Sequence, residues 1–246
     1  MAGVFSGSVL SSRALRDNFY LLETACPSGE PPRAGQFYML RAWGTYPVLS
    51  RPLSVFDAPE NRLVFLYKLL GEGTRLFSRL REGDPLTLQG PLGHGFPELG
   101  GNVALVGGGG GMAPLYLGAK QLKAAGTGRG GCRVELFLGF SGIPFLTGEF
   151  EAAADRLIVK TGGFITDEVD PGRYDHILAC GPEAMMEALF AKCEAAGAGD
   201  RLHVSLESRM ACGTGACFVC SRKTRGGNKK VCKDGPVFPA REVFGL

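Results

Sequence analysis

The sequence predicts a multidomain α+β protein that consists of an antiparallel β-barrel, a doubly wound α/β domain and a small C-terminal segment. Three observations predict this fold class. The first 98 residues form short β patterns between turn residues, apolar strand and helix patterns alternate from Gly101 onward, and the chain from about Leu202 is rich in glycine and cysteine. We therefore expect domains over residues 1–98, 99–201 and 202–246.

Length and composition agree with this division. The chain has 246 residues, more than one typical domain, and its 45% hydrophobic and 21% charged residues are ordinary for a folded protein. A net charge of +3 is too weak to indicate a nucleic-acid partner. Five consecutive glycines interrupt the most apolar stretch, residues 103–119, so we expect no membrane span. The N-terminal residues lack the apolar region of a targeting segment and show a strand pattern, so we expect a cytoplasmic location.

The first domain is predicted from strand-like segments separated by proline and glycine. Alternate positions Val4, Ser6, Ser8 and Leu10 give the first strand pattern. Further β patterns occupy residues 19–23, 36–41, 53–56, 63–69 and 85–89. Many short strands with regular turn punctuation favour a small antiparallel barrel.

The second domain begins where the pattern changes. Residues 103–106 are a short buried strand, 107–111 a glycine loop, and 113–125 an apolar helix with Lys120 and Lys123 on its polar face. Strand patterns at 134–138, 156–160 and 176–179 are separated by helix-compatible segments such as 183–196. This alternation predicts a parallel, doubly wound sheet.

Four of the eight cysteines are grouped near the C-terminus. Cys212, Cys217, Cys220 and Cys232 follow the spacing C-x4-C-x2-C-x11-C, which begins like that of plant-type [2Fe–2S] proteins. Small residues between the first two would let backbone N–H groups approach inorganic sulfide. Structural zinc favours two short-spaced pairs of ligands, so we predict a [2Fe–2S] cluster, with zinc and disulfides as the alternatives. The other four cysteines are predicted to be buried apolar residues: Cys26, Cys132, Cys180 and Cys193.

Basic residues surround the last ligand. Six lysines and arginines and no acidic residue lie between Cys220 and Asp234. Two apolar pairs follow, Val237 with Phe238 and Val243 with Phe244. We expect these pairs and the basic hairpin to dock a partner subunit, with burial of the apolar pairs in the core as the alternative.

Several short motifs in the barrel indicate a flavin nucleotide. In Arg51-Pro52-Leu53-Ser54 the arginine can pair bidentately with a pyrophosphate, and the serine can bond to the edge of a flavin ring. The motif becomes specific in combination with Leu66-Tyr67-Lys68, Gly71-Glu72-Gly73-Thr74 and the G-P-L-G-H-G-F run at 90–96.

Two loops in the second domain indicate a dinucleotide. Glycines 107–111, which include Gly108 and Gly110, leave backbone N–H groups free to meet a phosphate at the start of the following helix. Cys180-Gly181-Pro182 follows the strand pattern at 176–179 directly. Both loops lie at carboxyl ends of predicted strands, where doubly wound sheets bind their ligands.

Together these motifs resemble the ferredoxin-reductase superfamily, and specifically the electron-transfer subunits of type B, NAD-dependent dihydroorotate dehydrogenase. The resemblance covers essentially the whole chain, and its most specific part is the cysteine segment from residue 210 to residue 238. It implies that FAD is bound by the barrel motifs and that the two loops bind NAD. The FAD residues are Arg51, Pro52, Leu53, Ser54, Leu66, Tyr67, Lys68, Gly73 and Thr74, and the NAD residues are Gly108, Gly110 and Cys180.

The resemblance also implies a function. A catalytic FMN-containing partner subunit would oxidise dihydroorotate, and electrons would pass through the [2Fe–2S] cluster and FAD to NAD+ in pyrimidine (UMP) biosynthesis. The assembly would be a heterotetramer with two copies of each subunit, and this chain would contribute no catalytic acid or base. The alternatives are the small subunit of a bifurcating NADH-dependent ferredoxin:NADP oxidoreductase or sulfide dehydrogenase and, more distantly, a non-enzymatic iron–sulfur flavoprotein module.

The sequence departs from the family pattern in two places. Leu53 stands where many reductases of the superfamily have a tyrosine that stacks on the flavin, so another group must cover the ring. Tyr67 is a candidate for covering the flavin ring, and the alternative is that Tyr67 is an ordinary core residue. Residues 159–167 lack the acidic, glycine-rich insert that related chains carry there. A further alternative is therefore that the second domain keeps the Rossmann-like fold but has only a vestigial nicotinamide site.

Overall fold

The first six strands close into an antiparallel barrel in a computed structural model that describes residues 3–26, 31–125 and 131–245. The order around the barrel is β1-β2-β5-β4-β3-β6. The strands are β1 (Gly3–Ala14), β2 (Phe19–Ala25), β3 (Phe37–Arg41), β4 (Arg51–Asp57), β5 (Arg62–Lys68) and β6 (Pro85–Leu92). Alternation of side chains places residues such as Leu86 and Leu88 inside, where both are fully buried.

Two features of the barrel differ from the predicted pattern. Strand β4 begins at Arg51, two residues before the predicted start, so the Arg51–Ser54 motif is itself strand. The G-E-G-T segment opens a short helix, α1 (Glu72–Phe77), which the sequence pattern did not predict. Thr74 stabilises the entry to α1, because its hydroxyl oxygen accepts from the backbone N–H groups of Leu70 and Gly71 at 2.9 and 3.1 Å.

The second sheet has the strand order β14-β11-β10-β7-β8-β9. All neighbouring strands are parallel except β14, which pairs antiparallel to β11. Its elements are β7 (Gly101–Gly108), α2 (Ala113–Ala125), β8 (Cys132–Phe140), α3 (Thr147–Ala153), β9 (Arg156–Thr161), β10 (His176–Cys180), α4 (Glu183–Ala195), β11 (Leu202–Ser205) and β14 (Val237–Pro239). The chain winds outward in opposite directions from β7 and β10, which makes the boundary between them the topological switch point.

The predicted α+β fold class is confirmed, with one addition to the sheet. The C-terminal segment consists of a hairpin, β12 (Ser221–Thr224) with β13 (Gly227–Lys230), then α5 (Val231–Asp234), β14 and α6 (Ala240–Phe244). Because β14 joins the second sheet, the cysteine segment is attached to that sheet by backbone hydrogen bonds.

The domain boundaries after residues 98 and 201 stay predictions. No helix of the described residues is long and apolar enough to cross a membrane.

Helix α2 attaches the barrel to the second sheet. Lys120 Nζ lies 2.7 and 2.8 Å from the two carboxylate oxygens of Asp57 on β4. Gln121 accepts from the Ala34 N–H at 2.8 Å and donates to the Pro32 carbonyl at 2.9 Å. The ring of Tyr116 also stacks on Phe56 with centroids 4.4 Å apart, so polar and aromatic contacts fix the same junction.

The apolar residues expected at a docking surface are mostly buried. Val237, Phe238 and Val243 are 9%, 3% and 1% exposed and pack in the core beneath the second sheet and the cysteine segment. The expectation that they dock a partner is therefore wrong. Val237 and Phe238 lie on a three-residue strand in register with β11, and Val243 on α6 packs in the same core cluster as Phe238, so their apolar chemistry serves the core.

Candidate cofactor site

A cleft of about 590 Å³ opens where the barrel meets the carboxyl edge of the second sheet. Nine of the residues predicted to bind FAD or NAD line it. They are Arg51, Pro52, Leu53, Ser54, Leu66, Tyr67, Lys68, Thr74 and Gly110. Residues from three stretches that are distant in sequence therefore share one cavity of the size that ordinary cofactor sites have.

Arg51 is held at the cleft by contacts on three sides. Its guanidinium lies 5.4 Å from the centre of the Trp43 ring and donates to the Leu49 carbonyl. A Cβ atom on Gly73 would stand 2.5 Å from Arg51 Nε, so the glycine lets the guanidinium lie against the start of α1. Arg51 has no carboxylate partner among the described residues, and its remaining N–H groups can bind an anionic ligand.

Tyr67 packs mainly as a core residue. It is 3% exposed, its ring stacks on Tyr20 with centroids 5.6 Å apart, and it meets Phe77 edge to face at 5.9 Å. One face of the ring is therefore covered before any ligand binds. Tyr67 also lines the cleft, together with Leu53 and Ser54.

The sequence analysis missed a group of lining residues that follow the last parallel strand. They are Leu206, Glu207, Ser208 and Met210, together with Pro236 before β14. The position of this segment at the carboxyl end of β11 was the available signal, because that edge of the sheet binds ligands. Glu207 faces the cleft, where desolvation raises the pKa of its carboxyl group.

The two predicted nicotinamide loops are in direct contact. Gly108 packs against Met185 and Pro182, where an added Cβ would stand 3.0 and 3.3 Å from side-chain atoms, and Gly111 lies against the Cys180 carbonyl. Cys180 itself is 2% exposed, and burial raises the pKa of its thiol. Gly110 is the member of the set that reaches the cleft, since Gly108 and Cys180 form the packed layer behind it.

The four grouped cysteines are brought together by two segments. Cys212, Cys217 and Cys220 lie on one loop, and Cys232 lies on α5 directly after the hairpin. Cys217 is exposed, Cys212 is half-buried, and Cys220 and Cys232 are each 2% exposed. Gly213 and Gly215 have φ values of +71° and +86°, a conformation that favours glycine in so tight a loop.

Backbone N–H groups point at the sulfur atoms. Thr214 donates to Cys212 Sγ at 3.4 Å, and Cys232 donates to Cys220 Sγ at 3.4 Å. Burial by itself raises the pKa of Cys212, but N–H groups of Cys217 and Thr214 outweigh it and lower that pKa well below its usual range. Burial and the neighbouring Cys220 raise the pKa of Cys232.

This donor set fits an iron–sulfur cluster in its chemistry. The Cys212 thiol contacts Cys217, the Cys232 thiol contacts Cys220 and interacts with Cys212, and backbone N–H groups are aimed at two of the sulfur atoms. The loop lies against Met39 of the barrel, whose Cγ would stand 2.7 Å from a Cβ on Gly213. No group of three or more His, Cys, Asp or Glu side chains in the described ranges is arranged to hold a metal ion.

Known proteins resemble this chain in sequence over most of its length. Residues 207–244 match a family profile described as the iron-sulfur cluster binding domain of dihydroorotate dehydrogenase B. A protein of Clostridium acetobutylicum named "Dihydroorotate dehydrogenase B (NAD(+)), electron transfer subunit" is 41% identical over 221 residues, 86% of each chain. A protein of the same name from Caldanaerobacter subterraneus is 39% identical over 249 residues, 96% of each chain.

Solved structures resemble the chain in fold. A chain from a study of flavin-based electron bifurcation in an NADH-dependent reduced ferredoxin-NADP oxidoreductase matches with a TM-score of 0.84 at 29% identity, over 99% of this chain and 91% of that one. A ferredoxin NADP+ reductase from Neisseria gonorrhoeae with bound FAD and NADP matches with a TM-score of 0.63 at 18% identity, over 79% of this chain and 92% of that one. The second match concerns the fold alone.

Proposed function

Because the chain belongs to the family of electron-transfer subunits of NAD(+)-dependent dihydroorotate dehydrogenase B, we propose that it carries electrons from dihydroorotate oxidation to NAD+. It is a subunit of an oxidoreductase, and a separate catalytic subunit oxidises the substrate. The observation that carries this proposal is the shared cleft. Residues of the barrel motifs, of the glycine loop and of the segment that leads into the cysteine loop line one cavity.

The cysteine loop would hold the cluster. Cys212, Cys217, Cys220 and Cys232 are the proposed ligands of a [2Fe–2S] centre, and N–H groups of Thr214 and Cys232 would stabilise the sulfur charge. The loop packs on the barrel, and its first ligand follows the lining residue Met210 by two positions. A cluster held there would lie next to the cleft, as electron transfer between two centres of one chain requires.

The cleft would hold FAD. Arg51 would pair with the pyrophosphate, because a planar guanidinium without a carboxylate partner suits a bidentate anion. Leu53, Ser54, Leu66, Lys68 and Thr74 would contact the remaining parts of the nucleotide. When bound, a flavin converts between one-electron and two-electron transfer. The chain's own residues then position the cofactors and exclude water, and none acts as a general acid or base toward dihydroorotate.

The glycine loop would hold the acceptor NAD+. Gly110 lines the cleft beside the FAD residues, and Gly108 and Cys180 support it from behind.

The partner would be the FMN-containing catalytic subunit, assembled with this chain as a heterotetramer of two copies each in the cytoplasm of the cell. A second candidate function is that of a subunit of a bifurcating NADH-dependent ferredoxin:NADP oxidoreductase. The fold match with a TM-score of 0.84 supports this candidate.

Cofactor analysis tests this proposal directly. Anaerobically purified chain should contain about one FAD, two irons and two acid-labile sulfides, the composition of one flavin and one [2Fe–2S] centre. It should also oxidise NADH with an artificial dye. Zinc without sulfide would contradict the cluster, and FMN in place of FAD would contradict the role of Arg51. A chain with both cofactors and no NADH oxidation would support the non-enzymatic module.

The reaction of the assembled complex distinguishes the dihydroorotate dehydrogenase from the bifurcating oxidoreductase. The chain, assembled with the FMN-containing subunit from the same genome, should reduce NAD+ with dihydroorotate. Reduction of NADP+ with NADH and ferredoxin by an assembly with a different large subunit would favour the bifurcating enzyme instead.

A further inference from the structure

The cysteine segment is paired with both ends of helix α4. At the N-terminal end, the guanidinium of Arg222 on β12 donates to both carboxylate oxygens of Glu183, and the distance from Nη1 to Oε2 is 2.9 Å. At the C-terminal end, Arg241 on α6 lies 2.6 Å from a carboxylate oxygen of Glu194. Two arginines of the segment that carries the proposed cluster ligands therefore hold one helix of the second domain.

The first turn of α4 has no side-chain cap of its own. Pro182 is the N-cap residue, and its side chain offers no oxygen atom to the unpaired N–H groups of the helix start. The Pro182 carbonyl accepts from the N–H groups of Met185 and Met186 at 2.9 and 3.2 Å, which closes the turn. Because Glu183 is the first residue of the helix, its two-bond pair with Arg222 fixes this turn to β12.

The side chain of Met185 connects this turn to both loops that are proposed to bind NAD. A Cβ atom on Gly108 would stand 3.0 Å from Met185 Sδ, and a Cβ atom on Gly181 would stand 2.9 Å from Met185 Cε. Both distances are shorter than an ordinary van der Waals contact, so the methionine fills the space over both glycines. A shift of the first turn of α4 must therefore disturb the packed layer that supports Gly110 in the cleft.

We propose that Arg222 is a positioning residue for the nicotinamide, and that it acts through Glu183 and Met185 on the two loops. The inference rests on the proposed function, since it assumes that these loops bind NAD+. It separates Arg222 from the other cations of the basic hairpin, which were expected together to dock the partner subunit. Arg222 stands two positions after the proposed ligand Cys220, so one short segment connects the cluster loop to the nicotinamide loops.

The expected size of the effect follows from the exposure of the pair. The side chains of Arg222 and Glu183 are 31% and 49% exposed, and an ion pair at such a site changes an equilibrium by a factor of about two to five. Without the pair the first turn of α4 frays more often, and the loops lose their support while it is frayed. The apparent affinity for NAD+ then falls with the fraction of chains that keep the binding arrangement.

The test uses the full chain loaded with FAD and cluster. Arg222→Ala should raise the dissociation constant of NAD+, measured by calorimetry, about two- to fivefold. The KM for NADH in the dye assay should rise by the same factor, with kcat little changed. Glu183→Ala should have the same effect, and the double variant should bind no more weakly than either single variant. Hydrogen exchange at the Met185 and Met186 amides should accelerate in all three.

Matched variants separate this role from general effects of charge and stability. Lys223→Ala removes an exposed cation next to Arg222 on β12, and it should leave the affinity for NAD+ unchanged. Arg241→Ala breaks the pair at the other end of α4, and it should leave that affinity unchanged as well. Arg222→Lys keeps the charge without the planar fork, so it should restore only part of the affinity. FAD and cluster absorbance monitor the integrity of each variant.

Three outcomes would overturn the inference. Unchanged NAD+ affinity in Arg222→Ala would remove the residue from this role. Weaker binding in Arg222→Ala but not in Glu183→Ala would show that the arginine acts on the dinucleotide by charge alone. Equal weakening in Arg241→Ala would show a general loss of helix stability. Each of these results leaves the proposed function standing as long as the wild-type chain oxidises NADH, whereas a wild-type chain that does not oxidise NADH would contradict the proposed function itself.

Discussion

At the scale of single residues, Arg51 shows how a local motif places a guanidinium at the cleft. Glycine at position 73 is needed for the guanidinium to rest between Trp43 and the start of α1. The motif predicts that Arg51 binds an anion, and this stays a prediction. The tryptophan contact was not predictable, because Trp43 lies in a loop whose path depends on the whole barrel.

Arg51→Ala should weaken FAD binding by about tenfold to a hundredfold, the loss expected from one or two hydrogen bonds to a charged group. The measurement is the dissociation constant of FAD, obtained by titrating the deflavinated chain and following flavin fluorescence. Arg62→Ala is the matched control, since Arg62 pairs with Glu23 on the barrel surface at 2.7 Å. Equal weakening in both variants would show damage to the barrel instead of loss of a ligand contact.

The cysteines give a second prediction at this scale. Cys232→Ser should abolish or strongly destabilise the cluster, because three thiolates and a hydroxyl hold the irons less tightly. Cys193→Ser should leave the cluster absorbance and iron content unchanged, since Cys193 is fully buried on α4 and belongs to its apolar core. Iron and sulfide analysis of both proteins decides the point. Loss of the cluster from the Cys193 variant alone would overturn the ligand assignment.

At the scale of elements, α2 is the connection that the sequence least revealed. Its apolar pattern and its two lysines predicted a helix with a solvated polar face, whereas Lys120 and Gln121 in fact bind the barrel. Period and composition identify a helix, but they cannot identify which domain faces its polar side. The same limit applies to β14, whose three residues are too short for a pattern and gain their strand geometry from β11.

Gln121→Ala should loosen the junction more than Lys120→Ala. The glutamine makes two hydrogen bonds to backbone groups, worth about 1–2 kcal/mol in sum, whereas a partly exposed ion pair contributes about 0.2–1 kcal/mol. Hydrogen exchange at the Ala34 amide, which donates to Gln121, should therefore accelerate mainly in the glutamine variant. Equal exchange in wild type and Gln121→Ala would show that other contacts fix this loop.

At the scale of the whole molecule, the cysteine loop carries two exposed apolar side chains beside the basic hairpin. Phe218 and Val219, between two proposed cluster ligands, are 64% and 54% exposed, and Lys230 Nζ lies 4.8 Å from the centre of the Phe218 ring. The basic hairpin was identified from the sequence. The expectation that Val237, Phe238 and Val243 dock a partner was wrong, because the sequence shows which side chains are apolar but not which ones β14 and α6 bury.

Replacing Phe218 and Val219 together by serine should weaken assembly with the catalytic subunit by about tenfold or more, since central exposed apolar groups dominate interface energies. Charge reversal of Lys229 and Lys230 should act in the same direction through slower association. Both variants should keep the NADH-to-dye activity of the isolated chain. Affinity for the catalytic subunit is measured by surface plasmon resonance, and unchanged affinity would exclude the loop from the interface.

The sequence predicted the larger architecture because each of its parts carries its own local pattern. Short strands with turns predicted the barrel, alternating strands and helices predicted the doubly wound sheet, and cysteine spacing predicted the cluster segment. The arrangement of these parts around one cleft was not predictable from any of them. It depends on Leu206, Glu207 and Ser208, which lie outside every predicted motif and reach the cleft because β11 ends there.

The central claim is that electrons pass between a partner and FAD through the cluster of this chain. The most direct test mixes dihydroorotate with the assembled complex under anaerobic conditions and follows FAD absorbance by stopped flow. Flavin of this chain should be reduced in the wild-type complex, and in a Cys232→Ser complex of confirmed assembly it should stay oxidised with dihydroorotate yet still be reduced by NADH. Reduction of FAD by dihydroorotate in the variant that lacks the cluster would contradict the account.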